Sequence, residues 1–448
     1  MKITESWVNG NENAQKDAYG AVQRNNHRIA RLFGGVSQDQ EIEITSLNLH
    51  KTRGVKEGYE FLAGNLEYRS KDASSSEVKS IEFFAKYYSP KKASPASLDD
   101  PTNLPSVEIE DGFYDLMRGS SVVPKAYLLP RERGLLLMEN AGNTTLETKV
   151  AGLSEQQKYK FAKPAIDALI EFNAFARGVM PRVFDNEVMR KWLQRQNKRT
   201  MIDSMKRHLS MLEVNDQETE NMLGAFIPVI EVYDANRNQL IHGDAGAQNI
   251  VGPEEKDKEM PLPWNKKEVK IVDLASMKFG VPLFDLSQLI TSPGMNLGVS
   301  FWNDAIMQYK KAELERMGAR QSIRILGIEV NGNFPMIKKS FRLSEEARRE
   351  AYTQFYSGVL RECIKRVAKL RWIEKRLKSL SSDDYRSWAA SNPVIANSED
   401  EMTGNVEKAA EYIASNPYFF DFSKSEIEDM KKLRELNLKR IIVQYNNP

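Results

Sequence analysis

The chain of 448 residues reads as an α+β protein of two lobes, a strand-rich N-terminal lobe and a larger, mainly helical C-terminal one. Three observations predict this. Strand-like segments cluster before residue 140, long helical periodicities dominate after it, and two short apolar segments carrying oxygen-rich side chains interrupt the helices at 239–251 and 268–274. Strands in one run and helices in another argue against alternating βαβ units.

Residues 13–35 are polar with scattered apolar positions, and residues 1–40 are assigned to a leading helix or arm. Residues 41–50, Glu-Ile-Glu-Ile-Thr-Ser-Leu-Asn-Leu-His, alternate and predict a strand. After a loop with Gly54 and Gly58, strands follow at Tyr59–Tyr68 and Ile81–Tyr88, joined as a meander. The stretch 89–106, with Pro90, Pro95, Pro101 and Pro105, is a connection. A helix is expected over Val107–Met117, then strands near 122–129 and 134–139, which close a lobe spanning 41–140. Helices are expected at 154–177, 186–210 and 217–233, and again at 301–316, 344–379 and 424–436. Residues 141–380 form the second lobe, with 381–448 as a helical extension.

Bulk properties narrow the function. Hydrophobic residues make up 41% and charged residues 28%, and no apolar run approaches the roughly 18–20 residues of a membrane span. The first residues lack the pattern of a secretory signal, so a cytoplasmic, non-membrane protein is expected. A single cysteine, Cys363, excludes an internal disulfide framework and a cysteine zinc cluster. It falls on an apolar helix face and reads as an inert buried thiol. A formal net charge of +2 gives no support for nucleic acid.

The chemistry concentrates at Ile241-His-Gly-Asp-Ala-Gly-Ala-Gln-Asn-Ile-Val251 and Lys270-Ile-Val-Asp-Leu-Ala-Ser276. Asp244, Asn249 and Asp273 are thereby attached to strand-like segments. Phosphoryl transfer needs this set: one carboxylate for the attacking hydroxyl, and an amide and a second carboxylate to hold Mg²⁺ against nucleotide phosphates. Turns and strand ends also favour Asn and Asp, so their joint spacing carries the reading, not either residue alone.

On these residues the chain resembles the aminoglycoside phosphotransferase and choline kinase superfamily of the protein-kinase-like fold. The resemblance implies a bilobal kinase fold, ATP as donor (GTP as the alternative), Mg²⁺, and a hydroxyl-bearing acceptor. It implies Asp244 as the catalytic residue, Asn249 and Asp273 as metal ligands, and His242 as a support of the loop. It places Lys86, in Phe-Phe-Ala-Lys of the third strand, on the nucleotide phosphates, with Glu110 of Glu-Asp-Gly-Phe-Tyr114 holding its ammonium and Glu108 as the rival. It makes Gly134-Leu-Leu-Leu-Met-Glu-Asn-Ala-Gly142 the last strand and hinge, with a purine meeting backbone around Glu139 to Ala141 and Met138 near its face. Asp285, in Gly280-Val-Pro-Leu-Phe-Asp-Leu-Ser287, would brace the catalytic loop from a helix start.

The chain also departs from this pattern. It has no Gly-x-Gly-x-x-Gly loop and no Walker motif; the first hairpin offers Lys51-Thr-Arg-Gly54-Val-Lys-Glu-Gly58 instead. Leu-Ala-Ser follows Asp273, and Ala-Gly-Ala-Gln follows Asp244. Two helices are basic. One carries Arg190, Lys191, Arg195, Lys198, Arg199, Lys206 and Arg207. The other, over 356–378, sets Arg361, Lys365, Arg366, Lys369, Arg371, Lys375 and Arg376 against an apolar stripe. Solvated faces are the plain explanation; an anionic acceptor or partner is the functional one. The rivals to a small-molecule kinase are therefore a kinase of a protein or larger anionic acceptor, a non-catalytic nucleotide-binding scaffold, and a nucleic-acid binder using these helices.

Overall fold

The computed structural model describes residues 20–37, 39–51, 59–71, 77–88, 107–128, 134–142, 144–198, 237–253, 263–318 and 344–380, with short pieces at 5–6, 323–325 and 328–330 and isolated helical positions within 203–208 and 386–409. The helices expected at 217–233 and 424–436 and the connection at 89–106 lie outside the described residues. The described residues fall into two compact units, one from 1–143, 181–192 and 272–276, the other from 144–180, 193–271 and 277 onward.

The first unit holds an antiparallel sheet with a parallel edge. Its elements are β1 (Glu5–Ser6), α1 (Asn26–Gly34), β2 (Ile42–Lys51), β3 (Tyr59–Ser70), β4 (Lys79–Tyr88), α2 (Val107–Leu116), β5 (Ala126–Leu128) and β6 (Leu135–Glu139). The order is β1-β2-β3-β4-β6-β5, so β2, β3 and β4 form the expected meander. The parallel pairing of β1 with β2 is not what a leading helix or arm predicts. The strand expected at 122–129 begins only at Ala126, because Pro124 has no N–H to give a ladder.

In β2 the inward positions change phase, from Ile42 and Ile44 to Leu47 and Leu49. A bulge between Ile44 and Ser46 takes up the odd residue and keeps all four on one face. That face joins Leu62, Leu66, Ile81, Phe83 and Ala85 under Ile29 and Ala30 of α1. Gly64 is required here, since a Cβ would run into the ring of Phe83. Alternation in β4 then sends Lys86 and Tyr88 to the opposite face, toward α2.

The second unit is mainly helical. It contains β7 (Thr144–Thr145), α3 (Leu146–Val150), most of α4 (Glu155–Val183), the end of α5 (Glu187–Lys198), β8 (Gln239–Ile241), β9 (Ile250–Gly252), β10 (Lys270–Ile271), β11 (Lys278–Gly280), α6 (Pro282–Ile290), α7 (Val299–Gly318), β12 (Ile323–Ile325), β13 (Ile328–Val330) and α8 (Glu345–Leu380). A 3₁₀ turn over Ala247–Asn249 leads into β9. The β12–β13 hairpin was not expected from the sequence, although Ile-Arg-Ile-Leu-Gly-Ile-Glu-Val alternates around a glycine. All nine residues of α6 are buried. Gly358 lets α8 lie close to α6, since a Cβ there would strike Ser287 and approach Phe284. The apolar stripe of α8, including Tyr356, Val359, Leu360, Cys363, Ile364 and Val367, is buried as its periodicity predicts. Burial pushes the Cys363 thiol up to about 12, which makes it an inert group.

Candidate active site

Each unit carries one cluster of the expected residues. In the first, Lys86 is 2% exposed and Glu110 fully buried. Lys86 Nζ lies 2.7 Å from Glu110 Oε2 and 3.1 Å from Asp273 Oδ1. Tyr88 also donates its hydroxyl to Glu110. Glu110 and Tyr114 are four residues apart and so share a face of α2. Tyr114 accepts the backbone N–H of Asp273 at 3.2 Å. Burial, then the Glu110 charge, pushes the Tyr114 hydroxyl far up, so it stays protonated. Glu108, the rival carboxylate, is exposed on the outer side of α2. Asp273 has φ +64°, a left-handed conformation uncommon outside glycine, and holds it with its N–H tied to Tyr114 and its carboxylate to Lys86.

Around the expected hinge, Met138 and Ala141 are buried at 8% and 9% exposure. Glu139 is occupied locally: its N–H donates to Lys125 O at 2.8 Å, and its carboxylate accepts from Lys125 N at 3.1 Å. A purine reaching Glu139 would therefore meet its carbonyl and not its N–H.

In the second unit the segment after β8 is held from α6. A polar side chain in a fully buried helix must find partners. Asp285 and Gln288 of α6, and Ser292 two residues past its end, find them in one loop. Asp285 accepts the N–H groups of His242 and Gly243, each at 2.8 Å. Gln288 accepts from Ala245 N at 3.0 Å and donates to Gly243 O at 3.1 Å. Ser292 accepts from Ala247 N at 3.1 Å. Gly243 sits at φ +79°, where a side chain would be strained. Burial raises Asp285 to about 6, even though His242, the two backbone donors and Lys278 act the other way.

His242 is fully buried, edge-on to Phe172, and its Nδ1 accepts the N–H of Asp244 at 3.3 Å. Asn249 turns its amide nitrogen to Asp244, 2.8 Å from the backbone oxygen and 3.3 Å from Oδ2. Its Oδ1 end therefore points away from that pair. Asp244 itself keeps 33% of its side chain exposed, with Lys365 Nζ 3.6 Å from Oδ1.

That contact belongs to a network which the sequence reading did not find. Glu362 of α8 is buried at 1% exposure and binds Lys365 at 2.9 Å, Arg366 at 2.9 Å and Arg361 at 3.3 Å. It also accepts from Gln288 at 3.0 Å. Burial alone would raise its pKa, but Lys365, Arg366 and Arg361 together hold it well below the usual carboxylate range. The three cations are only 11–13% exposed, so this part of α8 is not the solvated face that was the plain expectation. On α5, by contrast, Arg190 and Lys191 are exposed, and Lys191 pairs with Glu187 on its own helix. The side chains of Lys198, Arg199, Arg207, Lys369, Arg371, Lys375 and Arg376 lie outside the described residues. Among the described residues no helix is long and apolar enough to cross a membrane.

No family model matches the sequence, and no curated protein matches it significantly. The structure is similar to solved kinases. The choline kinase LicA of Streptococcus pneumoniae matches at 11% identity and a TM-score of 0.42, covering 88% of this chain and 99% of its own. A choline/ethanolamine kinase family protein of Mesorhizobium loti matches at 11% and 0.40, covering 92% and 99%. An ethanolamine kinase of Plasmodium vivax matches at 11% and 0.43, covering 87% and 95%. Likenesses this distant do not define a substrate.

Proposed function

We propose that this chain is an ATP- and Mg²⁺-dependent phosphotransferase that moves the γ-phosphoryl group to a hydroxyl of a small molecule. The observation that carries the reading is Lys86. It is a lysine at 2% exposure, paired out of water with carboxylates 24 and 187 residues away. Buried ion pairs contribute little net stability against apolar packing, so such a cluster is better explained by chemistry than by folding.

The donor set suits a nucleotide-borne cation. Among the described residues no group of three or more His, Cys, Asp or Glu side chains gathers as a metal cage. Mg²⁺ is ordinarily taken up with substrate phosphates through one or two protein oxygens, a requirement that Asp273 and the Oδ1 of Asn249 would meet. Bound Mg²⁺·ATP would supply the phosphoryl group and neutralise its charge. Lys86, steadied by Glu110, would bind phosphate oxygens, and the backbone from Glu139 to Ala141, with Met138, would meet the base. Asp244 would orient the attacking hydroxyl and accept its proton, while Asp285 and Gln288 fix the backbone on either side of it.

The test is thermal stability with ATP, GTP or neither, each with and without Mg²⁺, followed by turnover in two variants. A nucleotide at about 100 times its Kd should stabilise the fold by roughly 2.7 kcal/mol. Asp273→Ala should lose the Mg²⁺-dependent part of that shift. Asp244→Ala should keep the shift and lose phosphoryl transfer; normal turnover in it would remove Asp244 from the catalytic role. No shift with either nucleotide would favour the scaffold reading.

A further inference from the structure

Asp273 is of use to a metal only if its carboxylate can turn from Lys86 while the backbone beneath it stays in place. Its Oδ1 lies 3.1 Å from Lys86 Nζ, and a cation taking that oxygen would have to share it or draw it away. The backbone is the part under load. At φ +64° it adopts a conformation that persists only where the surroundings hold it. Relaxation to an ordinary negative φ would swing the Cα–Cβ bond and carry the carboxylate elsewhere. Leu-Ala-Ser after Asp273 forms a 3₁₀ turn, Leu274–Ser276, and α2 packs against that turn. From α2 the buried Tyr114 hydroxyl reaches the Asp273 N–H at 3.2 Å. Glu110, one turn earlier on the same face, lies 2.7 Å from Lys86 Nζ. One helix therefore grips the lysine through Glu110 and the Asp273 backbone through Tyr114.

Resting on the phosphotransferase reading, we infer that Tyr114 is a positioning residue for the metal carboxylate. Its hydroxyl oxygen keeps Asp273 in the left-handed conformation, so that the carboxylate is free to pass from Lys86 to a nucleotide-borne Mg²⁺. A phenylalanine would fill the same space in α2, but it has no acceptor for the N–H. Buried and without that partner, the N–H would favour a backbone conformation that finds another. Tyr88, the second buried tyrosine of the cluster, supplies the contrast. Its hydroxyl donates to Glu110, so it acts on the lysine side. The two hydroxyls divide the work: Tyr88 serves the nucleotide lysine, and Tyr114 the metal carboxylate.

The experiment uses the full chain as wild type, Tyr114→Phe and Tyr88→Phe. The apparent Kd for ATP and for GTP is read from the rise in Tm, once with saturating Mg²⁺ and once with EDTA. In Tyr114→Phe the gain in affinity on adding Mg²⁺ should shrink by about 3–10-fold, the weight of one hydrogen bond, while the Kd in EDTA stays near wild type. In Tyr88→Phe both Kd values should rise together, and the gain from Mg²⁺ should persist. An unchanged gain in Tyr114→Phe, or an equal fall in the two variants, overturns the inference. If Tyr114→Phe does not fold, hydrogen exchange in wild type decides. An Asp273 amide protected before Mg²⁺ is added is the expected result, and exchange at the open-chain rate overturns the positioning role. No shift in wild type with either nucleotide overturns the phosphotransferase reading and the metal role of Tyr114 with it. A wild-type shift whose Mg²⁺ gain ignores Tyr114 overturns this inference alone.

Discussion

Glu110 and Glu362 are both buried glutamates that gather cations, one in each unit, yet their surroundings are opposite. Glu110 meets a single ammonium, Lys86, which Asp273 also contacts, so that cluster carries two carboxylates for one cation. Glu362 meets Lys365, Arg366 and Arg361, and Asp244 also contacts Lys365, so that cluster carries three cations for two carboxylates. The first cluster has more carboxylates than cations, and the second more cations than carboxylates. The contrast teaches that the same residue type, equally buried, prepares opposite electrostatics according to what it is outnumbered by.

The comparison breaks most sharply at Glu362. Glu362→Ala would leave three cations without their shared carboxylate and unseat Gln288 from the loop, with an expected loss of about 3–5 kcal/mol in urea unfolding. Glu110→Ala should cost less, about 3 kcal/mol, because Asp273 still contacts Lys86. If the two losses proved equal, the number of cations around each glutamate would not govern its contribution.

These two glutamates also mark what the sequence made legible. Glu110 could be named because its spacing to Tyr114 and a lysine on the third strand match the pattern of the family the sequence resembles. Asp244, Asn249 and Asp273 were visible for the same reason: oxygen-bearing residues at fixed offsets inside short apolar segments. Glu362 was not. Periodicity identified the buried stripe of α8, but a helical wheel tells which face turns inward, not which side chains meet it. Gln288 was hidden likewise, although a polar residue one turn from Asp285 in so apolar a helix was a usable signal. The pairing of β1 with β2 depends on a two-residue strand with no periodicity to read.

A smaller effect is expected where the loop is held by hydrogen bonds and not by ion pairs. Asp285→Asn keeps one acceptor oxygen and turns an amide toward one of the two backbone N–H groups now bound. The expected loss is about 1–3 kcal/mol, with phosphoryl transfer falling further than nucleotide affinity, because Gly243 beside Asp244 is what shifts. Equal losses in transfer and in nucleotide affinity would show that Asp285 supports the fold at large and not this loop.

The effect at Lys278 is read from its pH dependence, and its sign sharpens the electrostatic contrast. Its folded-state pKa of about 7 lies below the ordinary 10.5, with burial as the first cause. Below 7 the group is protonated in both states, and above 10.5 it is neutral in both. Between these limits the unfolded chain binds the extra proton, so this lysine makes stability rise with pH across the window. Lys278→Met removes the titration. In phosphate-free buffer the variant should therefore exceed wild type in stability near pH 6.5, with the difference shrinking toward pH 10, as followed by urea unfolding. A difference that stays constant with pH would mean that Lys278 titrates as an ordinary surface lysine and that burial does not depress it.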